Sequence, residues 1–510
     1  MEATSTGVIT QLLKELRAFM PEAFCNGKLE VEKLKFLLGS DSVYEEERFE
    51  LTWPGKSAAY QLANSLSAGT LVSYPKDSIN WNATENIFIE GENLDALKIL
   101  QEDYFGKIKT IYIDPPYNTR NNSFTYGDKF SITSREYLSR NDHRSKKVNT
   151  REALVNENNH NGHFHTNWLS MIYPRLILAR KLLREDGIIF VSIDDNELAN
   201  LKIIMDEIFG GDNYIDIFCW AKSETPANLS RKSKKIVEYI LCYQKNKTSE
   251  KFKGLRKRSI SSNGLLNQSN KLNTLVFPSN IVRTNIADQV IEKGMYGTDK
   301  YHIELLEKTE VKNGLFVSPV SLKAKFKWTQ PKLNMEIGKG TTISIPTMRF
   351  SPSYERPEYD AEVPANLINS KVGVATNETA GKDLQLLFGA KVFDFPKPPS
   401  LIKYLLGFSD DPEGIILDFF AGSGSTAQAV LEMNAKDNGN RKFICVQQNE
   451  KTPALSIARE YGFDNISQIT KKRIELVIEK QISSLTYNMP GQPGFRYYKI
   501  VTPGLEIQET

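Results

Sequence analysis

The sequence predicts an α/β protein built on a mostly parallel, helix-covered sheet that a long insert interrupts. Three observations predict it. Apolar runs of strand length alternate with helical spacing from residue 86 to about 245, the alternation fails between about 246 and 390, and it resumes from 399 to 447. Two of the strand patterns end on an aspartate, Asp114 before a proline pair and Asp418 before a glycine-rich turn. The composition is that of an ordinary soluble chain, with 510 residues, 40% of them hydrophobic, enough for about two to four domains.

Residues 8–19 and 29–38 carry apolar positions at helical spacing and predict a small helical N-terminal appendage over 1–80. Residues 86–103 then read as a strand, a Gly-Glu-Asn turn and a helix from Leu94 to Gln101, leading into the strand that stops at Asp114. From about 119 to 163 the chain is rich in Asn, Ser, Arg and Lys without apolar periodicity, the pattern of a long functional loop. Residues 168–184 have amphipathic helical spacing around Pro174. Asp186-Gly187 turns into a buried strand, Ile188 to Ile193, that ends at Asp194-Asp195, and a helix over 196–209 follows. Residues 214–220 and 236–243 predict a strand pair joined by a stretch too long for a tight hairpin. The catalytic half of the α/β unit therefore spans 81–245 and the insert 246–385. The second half, 386–480, holds helix 399–407, strand 414–420, helix 425–434 and strand 442–447, and 481–510 form a short tail.

A formal net charge of +3 is too small to announce a nucleic-acid partner, so any basic surface must be local. Eleven Lys or Arg lie between Arg231 and Arg258 against Glu238 and Glu250. In Lys323-Ala-Lys-Phe-Lys-Trp328 a strand would show ammoniums on one face and bury the other. Each is either a solvated face or a grip on phosphates. Cys25, Cys219, Cys242 and Cys445 lie far apart, which argues against a disulfide scaffold and a zinc module and fits a reducing cytoplasm. His160, His163 and His165 lack the Cys or acid partners of a metal site, so no metal is expected. No basic segment with an apolar core follows Met1, and no run approaches the ~18 apolar residues of a membrane span.

Asp114-Pro115-Pro116-Tyr117 is suited to amino-group chemistry on a flat ring. Two prolines cannot donate to a ladder, so the strand ends and the backbone stays open. Asp114 and the Pro115 carbonyl are then two acceptors for an exocyclic NH2, and Tyr117 offers an aromatic face. A bare Asp-Pro would read as a strand-ending turn. In the second motif, Ile415 to Ala427, Gly422 and Gly424 let the backbone approach a ligand at a helix N-terminus. Gly422-Ser-Gly-Ser-Thr-Ala427 also satisfies the nicotinamide fingerprint. Asp418, however, suits an ammonium-bearing ligand better than a pyrophosphate, and the next strand ends at Gln447 where a ribose-binding acid would stand.

Together the two motifs resemble those of the S-adenosylmethionine-dependent DNA amino-methyltransferases. With the catalytic motif first and the cofactor motif about 300 residues later, the chain resembles their β order. Thr84 to Lys98, Ile113 to Thr119, His165 to Arg175, Asp186 to Asp195 and Phe393 to Ser400 are similar to segments of the modification (Mod) subunits of type III restriction-modification systems. The likeness covers about 45–245 and 370–475.

That resemblance implies a Rossmann-like methyltransferase fold in permuted order with an inserted target-recognition domain. It implies catalysis at Asp114, Pro115, Pro116 and Tyr117 on N6 of an adenine flipped from double-stranded DNA. It implies S-adenosyl-L-methionine held by Asp418, Phe420, Gly422, Ser423, Gly424, Thr426, Lys397 and Gln447. A homodimer and a restriction (Res) subunit carrying the ATPase and nuclease are the implied partners, since Gly55-Lys56-Ser57 lacks the upstream Gly of a P-loop. Cytosine N4 is the close alternative. A protein Gln methyltransferase would have the opposite motif order, and a non-catalytic specificity subunit would not need intact Asp114, Tyr117, Asp418 and Gly422. Three departures stand out: Gln447 in place of an acid, Val237 in place of the His that relatives commonly carry before Glu-Tyr-Ile, and a tail after about 480 shorter than in a typical Mod subunit.

Overall fold

The computed structural model describes residues 50–67, 69–119, 161–225, 232–254, 263–357, 361–409, 411–483 and 493–501, with short pieces at 16–17, 24–25 and 28–29. The chain forms two compact units, Met1–Trp53 and Pro54–Thr510. In the first, Phe24–Cys25 pairs antiparallel with Lys28–Leu29. The helices expected over 8–19 and 29–38 fall almost wholly outside the described residues, as does the loop expected over 119–163.

The second unit is organised on a ten-stranded sheet. Its strands, in chain order, are β1 (Thr70–Ser73), β2 (Ile87–Glu90), β3 (Ile108–Ile113), β4 (Leu183–Ile193), β5 (Tyr214–Ala221), β6 (Val237–Gln244), β7 (Leu367–Ile368), β8 (Ile415–Asp418), β9 (Lys442–Gln447) and β10 (Arg496–Val501). They lie in the order β7-β5-β6-β4-β3-β8-β9-β2-β10-β1. The run from β4 through β10 is parallel, with the antiparallel pairs β4/β6, β5/β6 and β1/β10 toward the edges. β3 is buried at every position, as its β-branched run requires of a strand covered on both faces.

The helices are α1 (Lys56–Asn64), α2 (Asn93–Tyr104), α3 (Asn161–Leu182), α4 (Leu198–Phe209), α5 (Asn377–Phe388), α6 (Pro399–Leu406), α7 (Ser425–Asp437) and α8 (Ile466–Ser483). Leu405 of α6, Leu431 of α7 and Ile474 of α8 share a core with Tyr112, Phe190 and Phe443 of the sheet. Alternate side chains such as Ile111, Ile113 and Val191 bury on the other face, where α2, α3 and α4 lie. Among the described residues no helix is long and apolar enough to cross a membrane.

Three expected boundaries move. Residues 54–80 are not part of an N-terminal appendage: α1 begins at Lys56, and β1 is an edge strand of the main sheet. The tail is not an appendage either, because β10 pairs with β2 and β1. The insert is smaller than 246–385. Its own core runs from Leu265 to Phe350, within two small sheets and one helix, Gln330–Gly338. β7 and α5 return to the main body, with Asn377 N donating to the Lys222 carbonyl. Inside the insert the Lys323–Trp328 alternation holds: Ala324, Phe326 and Trp328 are buried, while Lys323 and Lys327 are exposed. Of the basic run from Arg231 to Arg258, only 232–254 are described, and Lys235 pairs with Asp195.

Candidate active site

β3 and β8 are direct parallel neighbours, Ile111 opposite Leu417, although their sequences lie about 300 residues apart. Asp114 and Asp418 therefore emerge at the same carboxyl edge of the sheet, where ligands of open α/β folds bind. The turn after Asp114 is pinned from two sides. Trp168 of α3 donates its indole N–H to the Pro116 carbonyl at 2.7 Å, so that carbonyl is spent. Asn118 takes a left-handed backbone (φ 55°), which short amide side chains tolerate. Its Nδ2 donates to Oε1 of the fully buried Glu197 at 2.5 Å. His165 and Asn200 complete the shell of Glu197, at 2.6 and 2.8 Å. His165 thus belongs to a cluster that positions the turn. His160 and the side chain of His163 lie outside the described residues.

Charges alternate beside the turn after β3. Lys397 Nζ lies 2.7 Å from Asp114 Oδ2 and 3.3 Å from Glu238 Oε2, and Glu238 Oε1 meets Lys222 Nζ at 3.0 Å. The Tyr117 hydroxyl sits 2.7 Å from Asp114 Oδ1 and 3.1 Å from Glu238 Oε2, while the ammonium of Lys397 lies 5.0 Å from its ring centre. Burial works against the Lys397 ammonium, but Asp114 and Glu238 outweigh it and its pKa rises. Burial likewise disfavours the Glu238 carboxylate, yet Lys397 and then Lys222 hold its pKa below the usual range. Burial and the two carboxylates push the Tyr117 phenol well up, so its hydroxyl remains a donor.

The glycine-rich turn is held from beneath. Gly422 (φ 53°) and Gly424 (φ 84°) both occupy the left-handed region. A Cβ on Gly424 would come within 3.3 Å of Thr470, whereas one on Gly422 would meet Phe393 only at 3.7 Å. From α8, Thr470 Oγ1 donates to the Gly422 carbonyl at 2.5 Å. Buried Arg473 donates to the Ser423 carbonyl and to the hydroxyls of Ser423 and Ser425. Burial lowers the pKa of Arg473 to about 10, with the more distant charges of Glu432 and Asp383 opposing the shift. On the far side, Asn93 Nδ2 donates to the Phe419 carbonyl at 2.8 Å and is itself held by the fully buried Arg175.

Two expected cofactor contacts are turned inward. Gln447, which the resemblance places at the cofactor, turns its Oε1 to accept the Gly422 N–H at 2.7 Å. Both Asp418 oxygens are used within the turn, accepting from Phe420 N at 3.0 Å and Thr426 Oγ1 at 2.5 Å. Burial raises the Asp418 pKa to about 7, with Thr426 and Phe420 opposing the shift. Lys397, expected beside the cofactor, instead directs its ammonium at Asp114 and Glu238, while its carbonyl accepts from Ser425 Oγ at 2.7 Å. It ties the two strand ends together.

The turn after β3 opens onto a cleft of about 1220 Å³, walled by Asp114, Pro116, Tyr117, Glu238, Phe393 and Lys397. A single ligand pocket commonly holds ~300–1,000 Å³, so there is room for more than one ring system. Sequence reasoning missed Glu238, Thr470, Arg473 and Trp168 as site residues. Only Glu238 carried a signal, as a lone charge in an otherwise apolar strand.

Residues 108–458, from the start of β3 to beyond β9, match the N6/N4 methyltransferase family described as DNA methylase. The type III restriction-modification enzyme StyLTI Mod subunit of Salmonella typhimurium is 31% identical over 510 residues, 96% of this chain and 74% of that one. The EcoPI Mod subunit of Escherichia phage P1 is 33% identical, covering 95% and 76%. The type II methyltransferase M.KpnI of Klebsiella pneumoniae is 28% identical, covering 82% and 91%. With the two motif-bearing strand ends side by side at one edge of the sheet and these matches along most of its length, the chain belongs to the DNA methylase family and is a relative of the type III Mod subunits.

Proposed function

We propose that the chain transfers a methyl group from S-adenosyl-L-methionine to N6 of an adenine turned out of double-stranded DNA. It would act as the modification subunit of a type III-like system, paired with itself and with a restriction subunit, or as a solitary enzyme. One observation carries the reading: Lys397 bridges the Asp114 turn and the Ser425 end of the glycine-rich turn, so the two motifs are fixed against each other at one edge of the sheet.

The residues fit the cofactor. Among the described residues no cation pairs with the buried Asp418 carboxyl, and an amino-acid ammonium would meet that need. Gly422 leaves open the space that a side chain would take, beside Phe393. Asp418, Phe420 and the turn through Gly424 would hold the cofactor, with Thr426 and Gln447 fixing their geometry. Bound there, it would supply a methyl group on a cationic sulfur that leaves as a neutral thioether.

The chain's own task is to prepare the amine. A carboxylate offers about four acceptor sites. Asp114, held by Tyr117 and Lys397, therefore keeps capacity for an amine N–H, and the Pro115 carbonyl takes the second. Accepting both hydrogens frees the nitrogen lone pair from the ring, and Asp114 can receive the proton shed after transfer. Lys397 offsets the adjacent Asp114 and Glu238 charges and, with Lys222, favours the ionised form of Glu238 against its burial. The 263–357 body would read the target sequence, with exposed Lys327, and Lys323 on exchange from its ion pair with Glu304 at 3.3 Å, offered to phosphates.

Methylation-aware sequencing of DNA from cells expressing the chain, with nucleoside mass spectrometry and Asp114→Ala as control, tests this. N6-methyladenine at one sequence motif, absent in the variant, is expected. N4-methylcytosine would move the reading to the alternative, and identical maps for the two proteins would end it.

A further inference from the structure

Phe395 stands apart from every residue used so far. The residue is 77% exposed, yet it lines the catalytic cleft together with Asp114, Pro116 and Tyr117. Its backbone is left-handed (φ 52°), a conformation that a bulky side chain rarely adopts and that persists only where the surroundings enforce it. The enforcement is visible on both sides. Phe393 packs with the cluster of Val392, Ala458 and Ile469 and faces Gly422. Pro396 and Lys397 are buried, the latter fixed to Asp114 and Ser425. Held between these anchors, Phe395 presents an apolar ring to the cleft despite two separate costs, exposure and backbone strain.

Tyr117 is a constrained partner for a flat ligand. Its hydroxyl is tied to Asp114 and Glu238, and the Lys397 ammonium lies over its ring at 5.0 Å. We propose that Phe395 is a stacking residue: it receives the π-face of the nucleobase that enters the cleft, across from Tyr117, and holds it while Asp114 engages the amine. The proposal rests on the methylase reading of the cleft. Its chemistry is general, since an aromatic ring stacks on any base face and needs no hydrogen-bond partner.

The experiment uses the full chain, with the duplex site defined by the wild-type methylation map and 2-aminopurine in place of the target adenine. Phe395→Ala is expected to lower kcat/KM by roughly 5- to 150-fold, the range for losing one base–aromatic stack. Its bound 2-aminopurine should fluoresce more brightly than with wild type, because the extruded base has lost a quenching ring. Phe395→Trp should restore both. Phe395→Gly relieves the left-handed backbone, so its thermal midpoint should equal or exceed that of wild type while activity falls as in the Ala variant. Wild-type activity in the Gly variant, or unchanged fluorescence in the Ala variant, overturns the proposal. Dimmer fluorescence in the Ala variant also overturns it, by assigning the ring to prying the duplex open. A wild type that neither methylates DNA nor brightens 2-aminopurine would instead reject the methylase reading.

Discussion

Lys397 lies between two carboxylates, and its removal should be felt at both. In Lys397→Met, Asp114 and Glu238 would share only the Tyr117 hydroxyl, and the burial that already disfavours the Glu238 carboxylate would lose its main counterweight. The Glu238 pKa then rises, so the acid limb of the pH–rate profile should move upward and activity at neutral pH should fall at least tenfold. Breaking a buried pair typically costs about 3–5 kcal/mol. Because the folded-state pKa of Glu238 is depressed, its stabilising effect is present above the unfolded carboxyl value and lost as pH falls through the folded one. The destabilisation should therefore be largest near neutral pH and shrink in acid. An unmoved acid limb would mean that Lys397 does not set carboxylate ionisation. Asp418 has the opposite sign. Its folded pKa, about 7 against 3.8, means that the unfolded chain releases the proton first, so stability falls as pH rises from about 4 to 7. Asp418→Asn can keep the bonds to Phe420 and Thr426 and should flatten that slope, gaining at most about 4 kcal/mol at pH 8. Calorimetric titration should find that it binds S-adenosylmethionine more weakly. Equal slopes in the two proteins would show that Asp418 is not the group that titrates.

The glycine-rich turn and α8 act as one element, and the two glycines serve different sides of it. Gly424→Ala forces a left-handed alanine at about 1–2 kcal/mol and sets its Cβ against the Thr470 carbonyl, which a helix cannot easily move. Gly422→Ala carries similar backbone strain but meets Phe393 and the Phe420 carbonyl only at ordinary contact distance, the former a residue that also lines the cleft. Thermal melts should therefore rank Gly424→Ala as the less stable variant, and cofactor titration should rank Gly422→Ala as the weaker binder relative to its stability. The reverse ranking would misplace the clamp. This element also shows where the sequence stops being legible. The strand ends at Asp114 and Asp418 could be read because buried apolar runs stop there at residues that cannot continue a strand. The face of α8 that buries Thr470 and Arg473 is polar, and its partners at Gly422, Ser423 and Ser425 lie 48 to 50 residues upstream. No periodicity announces such a contact. Gln447 could be read as ligand-facing or turn-facing from its place at a strand end, and only the geometry of the Gly422 amide decides. β1 and β10 escape sequence reading because the edge strand β1 and its neighbour β10 bury few apolar side chains, and their pairing joins opposite ends of the unit.

At the scale of the whole molecule, the insert and the sheet that carries it are separable by construction. The chain leaves the main body through Lys253, whose N–H donates to the Phe408 carbonyl, and Gly254 N meets the Glu362 carbonyl at 2.7 Å as the chain returns. Exit and re-entry are thus hydrogen-bonded neighbours. The core between Leu265 and Phe350 shares no residue with the sheet–helix core around Phe190 and Leu405. Joining Gly254 to Glu362 through a linker of about four residues, within the usual range for a short connection, should leave every strand of the main sheet in place. The shortened protein should fold cooperatively and bind S-adenosylmethionine with near wild-type affinity, because among the described residues the hydrogen bonds and ion pairs of Asp114, Lys397, Asp418 and the glycine-rich turn come from outside the excised part. It should lose site-specific DNA methylation, and its DNA binding should show a shallower dependence on salt, since Lys323, Lys327 and the rest of the insert's basic surface are gone. Loss of cofactor binding in a folded variant would show that the insert supports the catalytic sheet. Retained methylation at the wild-type motif would place target recognition elsewhere in the chain.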